Sequence, residues 1–546
     1  MPLSTDNAHL VNRNTNRSSV VARHGMVCAS QPLAAMTGLD VLKGGGNAID
    51  AAVAANAMLS LVEPMMCGPG GDLFAIVWSE KDKRLFGLNA SGRAPRDWTL
   101  DEAQRLGLTS VPALTPMAWS VPGCVSGWEA LLERFGSRPL AELLAPSIET
   151  ARAGFPASPR IAFDWMFPAE RHAALAETYL ANGMAPGFGD IVTNPQLAAF
   201  YETLAHDGPR SFYEGDIADK LVAYSKEMGG YFSKRDFTEH AVSWDEPVST
   251  SYRGHDVWEL PPNGQGIAAL QMLNVLEQFD IAGLTPNSAR HLHLLIEAKR
   301  LAYEDRARYY ADPGFETVPV EALLSKEYAA ARAKLIDPAR AMPPVHHGEP
   351  GGGTDTIYLT AADAEGNMVS LIQSIFAQWG SRFVPARLGF ALQNRGASFS
   401  LNPADANALA PGKRPFHTII PAFMTRDGAP VFSFGVVGGD FQPQGHAQIV
   451  MNLVDFGMDP QQAGEQPRAV HTGSSDPGGF RATGAGIVRL ERGIPEETRA
   501  ELEALGHRVA RPRGVHGGYQ GLGRLDGPRR YLGGSDPRKD GCAAGY

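Results

Sequence analysis

Residues 351–367 read GGGTDTIYLTAADAEGN, and one hydroxyl among them is placed to do chemistry. Thr356 follows a glycine run and Asp355, and it opens an apolar segment. Three chemistries suit such a stretch. A phosphate-binding loop needs Lys-Ser/Thr after its last glycine and a helix next; here Asp355 precedes a strand-like run. A calcium loop needs alternating oxygen ligands closed by a glutamate, which DAEGN at 363–367 lacks. Gly366 and Asn367 instead suit the turn of a hairpin joining TIYLTAA to MVSLIQS. The third chemistry is an N-to-O acyl shift. The Thr356 hydroxyl attacks the Asp355 carbonyl, the ester hydrolyses, and Thr356 becomes a new N-terminus. Its α-amine, with an ordinary pKa of about 7.7–8.0, then serves as base for its own hydroxyl. The glycines supply the freedom needed to present the scissile bond. Taken alone, the stretch favours the plainer reading of an ordinary hairpin after a linker.

The surrounding elements have to hold that hydroxyl. GGGNAIDAAVAANAMLSLVEP predicts a helix capped by Asn47 and ended before Pro64. A glycine turn and a hairpin follow, with strands near 73–78 and 84–89. Residues 98–235 read as mostly helical, and SARHLHLLIEAKRLAYEDRARYYADP is the strongest helical pattern. A loop rich in proline and glycine is expected at 339–354. Beyond it strands dominate, at 356–362, 368–374, 388–393, 417–424 and 431–437, with a helix near 442–457.

The totals bound the function. The chain has 546 residues, 44% hydrophobic and 20% charged, enough to bury a large core. A net charge of −10 argues against a nucleic-acid or anionic-membrane surface. Cys28, Cys67, Cys124 and Cys542 form no CxxC pair, which argues against a disulfide framework or zinc site and for thiols in a reducing compartment. Residues 1–20 are polar and expected to be disordered. They carry no secretory h-region, no apolar run is long enough to span a membrane, and a cytoplasmic protein is expected.

Distant segments change the balance. GGGNAIDAAVAA, EPMMCGPGGDLFAIV, VPGCVSGWEAL, EAKRLAYEDRARYYADP, DTIYLTAADAEGNMVS, GKRPFHTIIPAF, GVVGGD and GGSDPRKDGCAAGY occur in this order. From about residue 24 to Tyr546 the chain resembles the γ-glutamyltranspeptidase family of N-terminal-nucleophile hydrolases. The resemblance implies an α+β fold, an αββα sandwich made by autocatalytic cleavage at Asp355-Thr356. Residues 1–355 would form a large subunit and 356–546 a small one, the two staying associated. Thr356 matches the family's nucleophile, which forms a γ-glutamyl ester resolved by water or by an amino-acid acceptor. Gly438 and Gly439 match the glycine pair at the oxyanion hole. His417 and Thr418 stand where secreted members have Ser-Ser, and a structural role is expected for His417. Ser374 matches a second hydroxyl that supports the nucleophile.

The departures concern the substrate. Family members that process glutathione grip the γ-glutamyl zwitterion with Arg, Asn, Gln and Asp; the matching positions are Ser91, Phe376, Arg395 and Ser398. Arg395 and Arg93 are candidates to bind a carboxylate, and Phe376 adds apolar surface. The segment Phe399–Pro411 lacks a lid insertion, so an open pocket is expected. No cofactor and no metal are expected, and a homo-oligomer is left open. The substrate is a small amide of γ-glutamyl type. The alternatives are a glutaryl- or cephalosporin-type acylase, an oxamate-type small-amide hydrolase or, in another class, a scaffold that no longer cleaves itself.

Overall fold

The computed structural model describes residues 15–166, 173–343, 356–385, 387–511, 514 and 516–546. Asp355, most of the expected 339–354 loop and most of the N-terminal segment lie outside the described residues. Two antiparallel seven-stranded sheets face each other. One runs, edge to edge, Val20–Ala22, Tyr531–Ser535, Gly518–Arg524, Ala429–Val437, Ala422–Arg426, His255–Glu259 and Val248–Tyr252. The other runs Cys542–Gly545, Met26–Ala29, Ile357–Ala362, Met368–Ser374, Asp72–Ser79, Arg84–Ala90 and Ser243–Asp245. Strands from before and after position 355 therefore share both sheets. The part before 355 is richer in helices and the part after it richer in strands, as composition suggests, and each supplies strands to each sheet.

Between the sheets lies an apolar layer that includes Met26, Phe74, Tyr358, Phe423 and Leu522. Helices cover the outer faces. Ala48–Val62 is buried along its whole length and packs on the second sheet. Its Asn47 cap and Asp50 bond each other's backbone N–H groups reciprocally, as the sequence predicts for its start. A helix apolar all round must be enclosed, and this one is. Gly266–Leu276, Ala289–Tyr309 and Gln442–Val454 form the other outer layer. The whole is an αββα sandwich.

Two expected strands differ. Residues 388–393 are buried but irregular: Gly389 has a φ of 73°, and the backbone bonds go to loops, Gln393 N–H to Gly70 and Leu392 N–H to Phe383. An apolar run alone does not distinguish a buried loop from a buried strand. The strand expected at 417–424 begins only at Ala422. Before it, His417 N–H bonds Asn263 and Ile420 N–H bonds the Gln442 side chain, while Pro421 has no N–H to give. Those irregular residues are free to line a site.

Candidate active site

Thr356 stands directly before its strand, third from the edge of its sheet. Ile357 pairs with Gln373, so Thr356 comes opposite Ser374. The Thr356 hydroxyl donates to Ser374 Oγ at 3.2 Å, and both residues are buried. Ser374 Oγ also accepts the Phe376 N–H at 2.8 Å. Phe376, at a φ of 77°, turns the chain sharply away from the sheet. Its ring lies 4.1 Å from the Arg395 guanidinium, a cation–π contact. Arg395 Nη1 donates to Thr418 Oγ1 at 2.8 Å. The Thr418 carbonyl and the Gly439 carbonyl both accept from Gln265 Nε2, at 2.7 and 2.9 Å. A continuous run of contacts thus joins Thr356, Ser374, Phe376, Arg395, Thr418 and Gly439.

Gly438 and Gly439 adopt φ values of 126° and 57° at the end of Ala429–Val437. Glycine alone takes these angles without strain, and they turn the chain from strand into helix beside Val437, which lines one small cavity with Thr356.

Arg395 is fully buried, yet its Nε and Nη2 atoms have no hydrogen-bond partner. Burial lowers its pKa to about 9, while Asp72 and Asp440 oppose that shift, so it is cationic at neutral pH. A buried cation with unpaired donors is costly, and a carboxylate matches those donors in charge and geometry.

Sequence reading missed Asp72, which organises the other flank. It lies across the sheet from Ser374. Its Oδ1 accepts from Gly92 N–H, Gly123 N–H and Gln393 Nε2, and its Oδ2 lies 2.9 Å from His417 Nε2. Burial, then the Arg395 charge, push the His417 pKa down to about 4, with the Asp72 hydrogen bond pulling the other way. The imidazole is therefore neutral, donates from Nε2 and props the site, in line with the expected structural role. Gln265 and Asp440 were also missed. Gln265 Oε1 and Asp440 Oδ1 both take Arg306 Nη1, at 2.5 and 2.9 Å. Asp72 and Asp440 lie inside the family-like motifs EPMMCGPGGDLFAIV and GVVGGD and Gln265 in neither, and no local spacing marks a residue whose partner is tens to hundreds of positions away.

Other predicted residues fall outside the run of contacts. Arg93 is ion-paired with Asp312 at 3.3 Å and donates to the Gly412 carbonyl. Ser91 bonds Asn89 and Asn263, and the Ser398 carbonyl takes the Asn407 amide. As for metals, His293, Glu297 and His507 bring ligand atoms within 4.8 Å of one another. Glu297 is already paired with Arg300 and the two imidazoles with each other, so the group is satisfied as it stands.

Comparison with known proteins decides the family. The γ-glutamyltranspeptidase family model matches residues 34–546. The chain belongs to that family. A glutathione hydrolase-like proenzyme of Bacillus subtilis is 36% identical over 96% of this chain and 99% of its own length. An oxamate amidohydrolase proenzyme of Klebsiella pneumoniae is 35% identical over 97% of this chain and 100% of its own. Among solved structures, a cephalosporin acylase from Bacillus halodurans superposes with a TM-score of 0.90 at 39% identity, covering 98% of both chains. The protein is thus a γ-glutamyltranspeptidase-like N-terminal-nucleophile hydrolase whose relatives are named for different substrates.

Proposed function

We propose that Thr356 is the nucleophile of a self-cleaving hydrolase that removes a carboxylate-bearing acyl group, γ-glutamyl or glutaryl in type, from an amide. The observation that carries this reading is the pair of unpartnered nitrogens, Nε and Nη2, on the Arg395 guanidinium, reached by the contacts that start from the Thr356 hydroxyl. Cleavage of Asp355-Thr356 leaves residues 1–355 and 356–546 and frees the Thr356 α-amine. The amine takes the hydroxyl proton as Oγ1 attacks the amide carbonyl. Ser374 holds the hydroxyl's orientation, and backbone N–H at Gly438-Gly439 receives the oxyanion. The amine returns the proton to the leaving nitrogen, the C–N bond breaks, and an ester on Thr356 remains. Water activated by the same amine hydrolyses it, or an amino-acid acceptor takes the acyl group.

The carboxylate of the acyl group sits on Arg395, over the Phe376 ring. Among the described residues, the positions Ser91, Phe376 and Ser398 carry no acid for an α-ammonium, while Asp440 is tied to Arg306 and Asp72 to His417, Gln393 and backbone N–H groups. A glutaryl amide is therefore expected to be processed at least as well as the γ-glutamyl amide. Relatives named for glutathione, oxamate and cephalosporin substrates are consistent with shared machinery and a variable acyl pocket. The test is kcat/KM for matched glutaryl and γ-glutamyl anilides. A strong γ-glutamyl preference sinks the pocket assignment.

A further inference from the structure

Thr356 has two flanks. Towards Met368–Ser374 lie Ser374, Asp72 and the residues assigned above to the substrate. Towards Met26–Ala29 the register, Leu359 opposite Ala29, brings Ser30 level with Tyr358. Ser30 donates to the Glu63 carboxylate. Thr356, Glu63, Ser30, Gln520 and Lys539 line one cavity between the sheets. Its free volume is of the order of a single water molecule. Glu63 is 2% exposed, Gln520 1% and Lys539 8%. The Gln520 amide, fixed on Gly518–Arg524, has no hydrogen-bond partner for its nitrogen or its oxygen. A buried amide left wholly unpaired is rare and costly, and it marks the place of a polar guest beside the nucleophile.

We propose that this back cavity is where the mature Thr356 α-amine exchanges its proton: water held by Gln520 carries the proton from the α-ammonium to the Glu63 carboxylate. An N–H bond breaks at Thr356 and an O–H bond forms at Glu63; ammonium and carboxylate become amine and acid, and nothing else changes. The free amine then deprotonates the threonine hydroxyl. The proposal rests on Thr356 being the nucleophile. Glu63 is a positioning residue, acting through the amine and not on substrate.

The electrostatics favour the exchange. Burial raises the Glu63 carboxyl from 4.5 to about 7; the Lys539 ammonium and the Ser30 hydrogen bond oppose this, and Asp164 and Asp540 reinforce it. That lies near the ordinary value of an α-amine, about 7.7–8.0, so the proton moves at little cost. Among the other groups facing Glu63, Cys67 is held as a neutral thiol by burial, and Lys539 Nζ is 3.4 Å from Asp164.

The experiment is the kcat–pH profile of purified, self-cleaved wild type, Glu63→Gln and Lys539→Met, each checked for a Thr356 N-terminus by sequencing. In wild type the acidic limb is expected to show two ionisations, those of a coupled pair. Glu63→Gln is expected to reduce it to one, with KM within about twofold of wild type. Lys539→Met removes the cation that lowers Glu63, so it is expected to move the lower ionisation upward by roughly half a pH unit or more. A Glu63 that merely braces Ser30 would change the height of the profile and leave its shape alone. Cleaved, active Glu63→Gln with the wild-type limb overturns the proposal, as does a single ionisation in wild type. Should Glu63→Gln fail to cleave, Lys539→Met decides: an upward shift supports the exchange and an unmoved limb ends it. A wild type lacking the Thr356 N-terminus overturns the nucleophile itself, a separate failure.

Discussion

Two residues carry the proposed chemistry, and each makes a sharp expectation. Thr356 lies buried at the head of a central strand, its hydroxyl set against Ser374. Thr356→Ala should stay one chain on a denaturing gel and lack activity, while Thr356→Ser should still cleave, slowly. N-terminal sequencing of the smaller wild-type fragment should begin Thr-Ile-Tyr-Leu; another start removes the assignment. Arg395 tests the pocket. Its guanidinium already has one partner in Thr418 and two unpaired nitrogens. Arg395→Ala should lower kcat/KM for a glutaryl anilide by a factor worth about 1–3 kcal/mol, the scale of a charged hydrogen bond. A neutral acyl anilide lacking the carboxylate should be much less affected. Equal losses on both substrates would mean that Arg395 braces Thr418 and does not hold substrate.

The decisive element is the turn from Ala429–Val437 into Gln442–Val454. Gly438 and Gly439 occupy left-handed angles there, and Gln265 fastens the Gly439 carbonyl to the Thr418 carbonyl. A β-branched side chain at a φ of 57° is strained by about 1–2 kcal/mol, tolerable for a core this large. It also displaces the neighbouring N–H groups. Gly439→Val should therefore fold and lose turnover by roughly 100- to 1000-fold, the effect of removing one oxyanion donor. Normal circular dichroism with full turnover would refute the oxyanion role.

At the scale of the whole molecule, the interleaving of strands matters. Ile357–Ala362 pairs with Met26–Ala29 on one side, and Met368–Ser374 pairs with Asp72–Ser79. Cleavage before Thr356 cuts none of these ladders. The fragments are expected to elute together under native conditions and to separate only in denaturant. Stability should also depend on pH. Burial lowers His240 and His446 to about 3 and His291, His417 and His507 to about 4. Between those values and the ordinary value near 6.5, the unfolded chain binds protons that the folded chain refuses. Each such proton lowers stability by about 1.4 kcal/mol per pH unit as pH falls. Burial lowers His471 and His516 as well. Carboxyls raised chiefly by burial work in the opposite direction, Glu63 to about 7, Asp476 to about 6, Glu259 well above 4.5, and Glu129, Asp305, Asp363 and Asp455 upward; the imidazoles, with an ordinary value near 6.5, set the sign in the upper part of the window. The melting temperature should fall as pH drops from about 6.5 towards 4. A flat or rising profile would show that these imidazoles are hydrated in the folded protein.

Local chemistry was legible in the sequence. Asn47 and Pro64 bracket a real helix, DAEGN is a hairpin turn, and the run TIYLTAA is a strand with Thr356 at its head. Each depends on neighbours within a few positions, where backbone preference and periodicity act. Ordered motifs along the chain also carried the family, hence the αββα fold. What only the tertiary structure decided depends on contacts between remote segments. Residues 388–393 are apolar like a strand but spend their backbone bonds on loops. Arg93 and Arg395 look alike as guanidinium candidates; one meets Asp312, and the other meets Thr418 and the Phe376 ring with donors to spare. Asp72, Gln265 and Glu63 take their meaning from His417, Gly439 and Thr356, which the two sheets bring to them. A residue's type limits the chemistry it can do; the packing of distant strands sets its charge and partners, and burial by those strands supplies the energy.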